Sequence, residues 1–508
     1  MECKGTMKKI ILLLLIIAAG IGCFFQAKVP IHEASRKGDL ESINRYLDEG
    51  GDIDAHSPKD IISRFTMKET PLHHAVIGNQ IEAAKLLLDK GANPNSQNTF
   101  DMTPLHYAVA SGHTEMIALL LERKANPNAA GRHRLSPLQF ALSKDYSNYL
   151  KAPLRPHAPS LQFGMIDMLL SKGADLEHRD QFGVTAFLIA SKLLSVELLQ
   201  HLLNKGADPL ALNDAGENAL FFLLEATGSA VDENSHALNI FKFLTEKGID
   251  IRHKNNKQQS LIHYACHQEI MDYLIKQGLD INATDANSTT PIHGLLVSLD
   301  CHQPDASIKR LLIAGADPNI RDTKGRTPLH RITGSKSHLS LLPLLLEHGA
   351  DLSVRSKKYG DTPLHLAARN RYATAEIELL LKHGADIDEQ NDAGCTPLHK
   401  SIFAENQPEN FGLLVAKGAD ANIQEKNGVA PLHLLASNQK HFELWGTLLL
   451  SQQAKVSIVD NTGRTPLDWA VESKIENAVT ALKKRNAPRG SITRTERITF
   501  KEILCQKY

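Results

Sequence analysis

The sequence of 508 residues is poor in aromatic side chains, which make up 5% of it, and has no excess of either charge. Lysine plus arginine and aspartate plus glutamate both total 57, so the formal net charge is zero. This balance disfavours a protein that binds nucleic acid through its whole surface, and no nucleic-acid partner is predicted. Because aromatics are few, the apolar content is mostly aliphatic, which favours helices over sheets.

Recognisable catalytic motifs are also missing. The sequence contains no P-loop, no GxSxG elbow and no HExxH pair. Its six cysteines include no CxxC pair, which excludes a disulfide-dense scaffold and a four-thiolate zinc site. We therefore expect no catalytic residues, no enzyme activity, no cofactor, no metal and no small-molecule substrate. An enzyme, metal or redox site hidden in insertions of the chain is the alternative of another class.

One long apolar run lies near the N-terminus. Lys8 and Lys9 precede the uncharged stretch 10–27. Its apolar core, 10–25, is shorter than the roughly 20 residues that a membrane-spanning helix needs, and a basic start followed by a short apolar run is typical of a secretory signal peptide. Residues 1–28 are predicted to be a signal peptide or an N-terminal membrane anchor, with membrane contact confined to residues 8–27.

The end of this run resembles a bacterial lipobox, in which a cysteine becomes lipid-modified after cleavage. The stretch is Gly20-Ile21-Gly22-Cys23, with Gly20 where leucine is preferred. A cleaved signal, a lipoprotein modified at Cys23 and an uncleaved anchor therefore all remain open. In each case the rest of the chain is expected to be exported or membrane-associated, that is, periplasmic, secreted or N-terminally anchored.

A four-residue box recurs through the remainder of the sequence. The segments Thr70-Pro71-Leu72-His73 and Thr103-Pro104-Leu105-His106 begin 33 residues apart, and the box returns intact at Thr327, Thr362 and Thr396. With its variants, repeats begin near residues 29, 70, 103, 136, 185, 218, 260, 290, 327, 362, 396, 430 and 465. A fixed period of this length indicates a repeat architecture rather than several separate domains.

Each repeat carries signals for two helices. Thr70 can cap the first helix through its hydroxyl, and Pro71 suits the first helical position. Apolar residues at helical spacing then mark the buried faces of a first and a second helix. Gly91 ends the second helix in a left-handed conformation, and Lys124, Gln453 and Asn486 occupy this position in other repeats.

At this point the sequence resembles the ankyrin-repeat family. The segments RDTKGRTPLH (321–330) and LLLDKGANPN (86–95) are similar to its consensus, and the resemblance covers residues 29–487. It implies an all-α repeat solenoid: a curved array of about thirteen helix-loop-helix units with short β-hairpin fingers. It also implies a non-enzymatic scaffold that binds a protein partner through the concave surface of fingers and first helices. A bacterial effector that is anchored in, or delivered to, a host compartment and binds host proteins would have the same architecture.

Nine of the 24 histidines occupy the fourth position of the box. The resemblance implies that they form hydrogen bonds within and between repeats rather than bind metal. The residues assigned to this structural motif are Thr70, Pro71, His73, Gly91, Thr103, His106, Thr327, His330, Thr362, His365, Thr396 and His399.

Three other features depart from the period. His263, Cys266 and His267 precede Cys301-His302 by about one repeat, which leaves a metal site, a disulfide formed after export, or free thiols open. Cys395 and Cys505 have no partner that the sequence suggests. Insertions at 144–162 and 227–237 are expected to be surface loops, with a dedicated binding loop as the alternative, and the tail at 488–508 is expected to be solvated or a short capping helix. Residues 185–290 are predicted to be the least regular and least stable part of the array.

The finger tips give the best indication of a binding surface. Phe100, Phe182 and Tyr359 each stand three residues before the start of a box, and Arg132 and Arg134 occupy a neighbouring finger. Exposed aromatic side chains are common in protein interfaces. We therefore predict that these five residues contact a protein partner, and packing of each ring against the next finger is the alternative.

Overall fold

The computed structural model describes residues 30–57, 67–142, 159–228, 236–296, 304–333, 339–370, 373–403, 408–451 and 454–491. The signal or anchor segment, Cys23, Gln453, Cys301, Cys505 and most of both insertions lie outside these ranges. The chain divides into two compact bodies. Body 1 contains the residues up to Leu223 together with Asn239–Ile249, and body 2 contains Leu224–Leu238 together with the residues from Asp250 onwards.

Body 1 is built from pairs of short helices, one pair to each repeat. The first helix of a pair starts one residue after the first residue of the box. The backbone of that first residue is extended, as at Thr70 (φ −86°, ψ 166°), and the proline that follows it suits the first turn of a helix. The first helices are Ile31–Lys37, Pro71–Ile77, Pro104–Ser111, Pro137–Leu142, Ala186–Ser191 and Ala219–Gly228, the last of which extends into body 2. The second helices are Leu40–Asp48, Ile81–Asp89, Thr114–Glu122, Pro159–Ser171, Val196–Asn204 and Ala237–Glu246.

Body 2 repeats the same pairing. Its first helices are Pro291–Leu295, Pro328–Ile332, Pro363–Arg369, Pro397–Ile402, Pro431–Ala436 and Pro466–Glu472, and in the repeat that starts at Ser260 a single 3-10 turn, Leu261–His263, replaces the helix. Its second helices are Gln268–Lys276, Pro304–Ile313, Leu341–Glu347, Thr374–Lys382, Pro408–Ala416, Gln439–His441 continued by Thr447–Ser451, and Glu476–Lys484. The all-α repeat architecture predicted from the sequence is thus confirmed.

The fingers between repeats are tight turns rather than extended strands. Throughout the described ranges, the only β-pairing is an isolated antiparallel bridge between Lys254 and Ser260. Neighbouring fingers are nevertheless joined by backbone hydrogen bonds, such as those from Thr99 N to Met67 O and from Lys357 N to Lys324 O, both 2.9 Å. These bonds set each finger beside the next.

The second helices end as the glycine pattern predicts. Gly91 has φ 99° and Gly384 has φ 94°, in the left-handed region that only glycine adopts without cost. Lys124 is forced into the same region with φ 65°, and Asn486 with φ 54°. The sequence position, and not the residue type, therefore determines where the chain turns out of the helix.

One second helix contains a π-helical turn. The spacing from Ala430 to Gln453 is one residue longer than the spacing from Thr396 to Gly418, and the helix of the longer repeat widens into a π-turn at Phe442–Gly446. Within this turn the Trp445 ring stacks on Phe411 of the preceding repeat, with ring centroids 5.1 Å apart. A π-turn accommodates one additional residue without ending the helix.

Candidate partner-binding surface

The box histidines connect each finger to the next. The backbone N–H of Thr70 donates to His73 Nδ1 at 3.1 Å, so His73 carries its proton on Nε2 and donates to Met102 O in the next finger at 3.0 Å. His365 does the same with Thr362 N and Cys395 O. The same two bonds are formed by His106, His263, His293, His330, His399 and His433. Both ring nitrogens are occupied, which leaves neither of them to bind a metal.

Burial keeps these rings neutral. It lowers the pKa of His73, His106 and His399 to about 4, because a buried imidazolium would lose its hydration. In the described part of the chain, no group of three or more His, Cys, Asp or Glu side chains is placed to hold a metal ion.

Four repeats have a residue other than histidine at this position, and in two of them, at Gln139 and Asp468, that residue forms hydrogen bonds of its own. Gln139 accepts from Ser136 N at 3.0 Å and donates to Val184 O at 2.7 Å, so its amide reproduces both bonds of the imidazole. Asp468 instead accepts from Thr465 N and from Gly490 N, at 3.0 and 2.7 Å. The carboxylate thereby holds the segment that follows the repeat beginning at Thr465, where a histidine would have donated to another finger.

A second periodic residue, five positions before the start of the box, shapes nine of the fingers. Asn98 Oδ1 accepts from the backbone amides of Phe100 and Met102, at 2.8 and 3.0 Å. The same pair of bonds is made by Asp180, Asn213, Asn255, Asp285, Asp322, Asn391, Glu425 and Asp460. This residue was not predicted from the sequence, although its fixed distance from the box was a usable signal.

In several repeats the outer atom of this side chain faces the first helix and contacts the residue four positions after the start of the box. Trp469 Nε1 donates to Asp460 Oδ2 at 2.8 Å, and Arg331 donates to Asp322 Oδ2 at 3.0 Å. Asn98 Nδ2 likewise donates to the hydroxyl of Tyr107, at 2.9 Å. These pairs fix their fingers against the first helices that follow them, so each such finger and its helix form one surface.

Lys400 occupies the same position in its repeat but contacts the preceding finger. Its ammonium group is buried, with the side chain 1% exposed, and lies 3.4 Å from Asp361 Oδ1. Burial lowers the pKa of Lys400, and the neighbouring Asp361 carboxylate opposes that shift. Lys400 thus belongs to the interior of the finger and helix surface.

The predicted contact residues lie in different surroundings. Arg132 covers the ring of Phe100, with its guanidinium carbon 4.9 Å from the ring centroid, so these two residues are brought together and the ring is half-buried. Tyr359 is half-buried next to Lys358, whose Nζ lies 4.5 Å from its ring centroid. Arg134 is exposed, and its carbonyl oxygen lies 2.7 Å from His178 Nε2. The ring of Phe182 is 60% exposed.

Two cysteines are oxidised. Cys266 and Cys395 are each disulfide-bonded. Of the three possibilities for Cys266, the structure therefore contains the disulfide and not the free thiol or the metal site. Cys395, for which the sequence suggested no partner, is fully buried.

Within the described ranges, no helix has the length and apolar character needed to cross a membrane.

Comparison with known proteins identifies the repeats. A family model described as ankyrin repeats (3 copies) matches residues 31–151, 295–391, 360–424 and 398–489, more than half of the chain. The ankyrin repeat domain of Bcl-3, a solved structure, is 22% identical, has a TM-score of 0.37, and is matched over 49% of this chain and 98% of that one.

Curated relatives match over part of their length. The human transient receptor potential cation channel subfamily A member 1 is 28% identical over 371 residues, which are 64% of this chain and 27% of the channel. A putative ankyrin repeat protein of Rickettsia felis is 24% identical over 34% of this chain and 52% of its own length. The chain thus spans about a quarter and about half of these two relatives. Since the family model covers most of the repeats, the chain belongs to the ankyrin-repeat family.

Proposed function

We propose that this protein is a non-enzymatic scaffold that binds a protein partner through the surface of its fingers and first helices. Ankyrin repeats are protein–protein interaction modules, and helix pairs of this kind make up nearly all of the described chain. The finger and helix surface is fixed before binding by the histidine bonds and, in nine repeats, by the residue five positions before the box. A partner therefore loses little free energy to ordering of this surface.

The observation that carries the proposal is the exposure of Phe182. Its ring is 60% exposed, yet its backbone is held on both sides: the amide donates to Asp180 Oδ1 at 2.7 Å, and the carbonyl accepts from Asp214 N at 2.9 Å. A large apolar ring presented on a fixed backbone suits an anchor residue of a protein interface.

The test is affinity capture with the full chain, comparing the wild type with Phe182→Ser. Partners recovered by the wild type, quantified by mass spectrometry, should fall about tenfold or more with the variant, since anchor residues of interfaces are often worth more than 1–2 kcal/mol. Ile313→Ser is the matched control, because Ile313 is 68% exposed but lies at the end of a second helix.

Equal recovery by the wild type and Phe182→Ser would contradict the role of this finger. Equal loss with Ile313→Ser would show that apolar exposure anywhere on the chain is sufficient, and would contradict a dedicated surface.

We further propose that the chain is exported. The basic and apolar order of residues 8–27 supports this location, and so do the disulfides of Cys266 and Cys395, because disulfides form and persist in oxidising compartments. Expression in a bacterium followed by fractionation and N-terminal sequencing tests it. A cytoplasmic protein with an intact N-terminus would contradict export, and lipid labelling that Cys23→Ser abolishes would identify a lipoprotein.

A further inference from the structure

The finger tips of body 2 carry a row of exposed lysines. Four fingers present Lys257, Lys324, Lys357 with Lys358, and Lys426, all of them exposed. The tips are joined in sequence by backbone hydrogen bonds, including those from Ala286 N to Lys257 O (2.8 Å), Thr323 N to Asn287 O (2.9 Å), Lys357 N to Lys324 O (2.9 Å), Asp392 N to Tyr359 O (3.0 Å) and Lys426 N to Ala393 O (3.0 Å). The lysines therefore lie on one continuous, hydrogen-bonded row.

These charges are not neutralised within the described part of body 2. Lys257, Lys324, Lys357 and Lys426 form no ion pair with a described residue, whereas three neighbouring arginines do. Arg326 and Arg331 pair with Asp322, and Arg355 pairs with Glu389. The single acidic tip in the row, Asp392, lies 3.6 Å from Arg355.

The charge of this row differs from that of the chain as a whole. The formal net charge of the protein is zero, so the lysines are a local excess and not part of a generally basic surface. The tips of body 1 are mixed, with Asp101 and Asp214 exposed alongside Arg134. A concentrated excess of one sign attracts ligands of the opposite sign and orients them as they approach.

We propose that the lysine row of body 2 binds an acidic polypeptide segment of the protein partner. This inference rests on the proposed function and specifies the chemistry of its partner. Packed helices lie roughly 8–10 Å apart, so the five repeat steps from Lys257 to Lys426 cover about 40–50 Å. An extended peptide advances about 3.3 Å per residue, so a segment of about 12–15 residues would follow the row.

A narrow ligand suits this surface better than a broad polyanion. Asp386 and Asp420 are exposed in the same repeats as the row, and a membrane or a nucleic acid duplex wide enough to reach them would meet like charges. An extended peptide can follow the lysines alone. The half-buried ring of Tyr359, beside Lys358, offers an apolar contact along the same path.

The experiment uses the full chain and a fluorescent polyglutamate peptide of about 16 residues, with polyglutamine as the neutral peptide. Binding is measured by fluorescence anisotropy at low and at physiological salt. The fingertip variant carries Lys257→Glu, Lys324→Glu, Lys357→Glu and Lys426→Glu. The control variant carries Lys276→Glu, Lys309→Glu, Lys382→Glu and Lys417→Glu, which make the same change of charge in exposed lysines of second helices or the turn after them in the same body.

Polyglutamate should bind the wild type and the control variant, and should bind the fingertip variant about 30-fold more weakly, since each exposed ion pair is worth a factor of roughly two to three. Its affinity should fall as salt rises. No binding, or equal weakening by both variants, would overturn the proposal. Two further probes are tested in parallel: lipid vesicles that contain 50% phosphatidylserine, and duplex DNA. The proposal is also overturned if polyglutamate does not bind and the fingertip substitutions abolish binding to the vesicles or to the DNA.

The two proposals fail in different ways. A partner captured equally by the wild type and the fingertip variant, but lost with Phe182→Ser, would overturn the acidic segment and leave the scaffold function standing. A fingertip variant that fails to fold would show changed circular dichroism, and Lys→Gln substitutions at the same four positions, which remove charge without reversing it, would then carry the test.

Discussion

The side-chain amide of Gln139 donates to the backbone carbonyl of Val184 at 2.7 Å, in the place where the neighbouring repeat uses the imidazole of His106 to reach Leu135. Gln139 is fully buried. Gln139→Leu keeps the volume but leaves the buried Ser136 N–H without its acceptor, at about 1–3 kcal/mol, and Val184 C=O keeps only the bond from Asp180 N. Hydrogen exchange of peptides covering 136–142 should be faster in Gln139→Leu and unchanged in Gln139→His. Unchanged exchange in the leucine variant would show that the interaction does not stabilise the repeat.

Acid should destabilise the array through the box histidines. Burial lowers the pKa to about 4 for His73, His106, His293, His330, His399 and His433. An unfolded histidine takes up a proton below about pH 6.5, so the unfolded state binds more protons between pH 6.5 and 4. The contribution of these neutral histidines to the free energy of unfolding is therefore fully present above pH 6.5. It falls towards pH 4, by at most about 1.4 kcal/mol per pH unit for each histidine.

Urea unfolding at a series of pH values checks this dependence. His399→Gln is the informative variant, since Gln139 shows that glutamine can form both bonds without titrating. We expect this variant to unfold with a smaller loss of stability between pH 6.5 and 4 than the wild type. An identical pH dependence would show that His399 does not contribute.

Lys124 should be a site where glycine stabilises the fold. Its φ of 65° lies in the left-handed region, where glycine occurs at the corresponding position of other repeats. Lys124→Gly should raise stability by up to about 1 kcal/mol, because a side chain is disfavoured there. The matched control is Lys90→Gly, since Lys90 also follows a second helix but has φ −83°. Thermal unfolding should rank Lys124→Gly above the wild type and Lys90→Gly at or below it, and the reverse order would contradict this account.

Asp322 should tolerate asparagine better than alanine. One carboxylate oxygen accepts from Lys324 N and Arg326 N, and the other is paired with Arg326 and Arg331. Asp322→Asn keeps an oxygen for the two amides, as Asn391 does, whereas Asp322→Ala removes every acceptor from a side chain that is 2% exposed. We expect the alanine variant to lose about 2–4 kcal/mol and the asparagine variant less than half of that. If chemical denaturation gave equal losses of unfolding free energy for the alanine and asparagine variants, the stabilisation would come from the ion pairs with the two arginines alone.

The oxidation state of Cys266 and Cys395 can be counted directly. In denaturant without reductant, neither should react with iodoacetamide, and both should react after reduction. Mass spectrometry of the alkylated peptides gives the count. Alkylation of either cysteine before reduction would show that its disulfide is not formed in the protein tested.

The regular part of the fold was predictable because its signals are local. Thr70, Pro71 and Gly91 lie within one repeat and report the start of one helix and the end of the next. Thr103 and His106 are three positions apart, so a recurring box is enough to locate them. The residue at the base of each finger, such as Asn98, was also within reach, but its role depends on two backbone amides that converge only in the folded turn.

The surface was harder to predict because it depends on neighbours distant in sequence. Phe100 was expected to be an exposed tip, yet Arg132 of the next finger covers its ring. Lys400 lies in the interior because Asp361 approaches it from the preceding repeat. Phe182 has the same place in its own finger and stays exposed. Residues at the same position of different repeats therefore have different surroundings. Which aromatic ring is exposed to solvent follows only from the packing of neighbouring repeats.

The histidine bonds also bear on how such a chain can change its length. His330 donates to the carbonyl of Asp361, and His365 donates to the carbonyl of Cys395. Each acceptor is a main-chain oxygen, which every residue type supplies. A duplication or loss of one whole repeat in the gene would therefore leave each histidine facing an equivalent carbonyl. Repeat number can drift in evolution while the junctions between repeats stay intact, and the exposed finger tips can diverge independently of them.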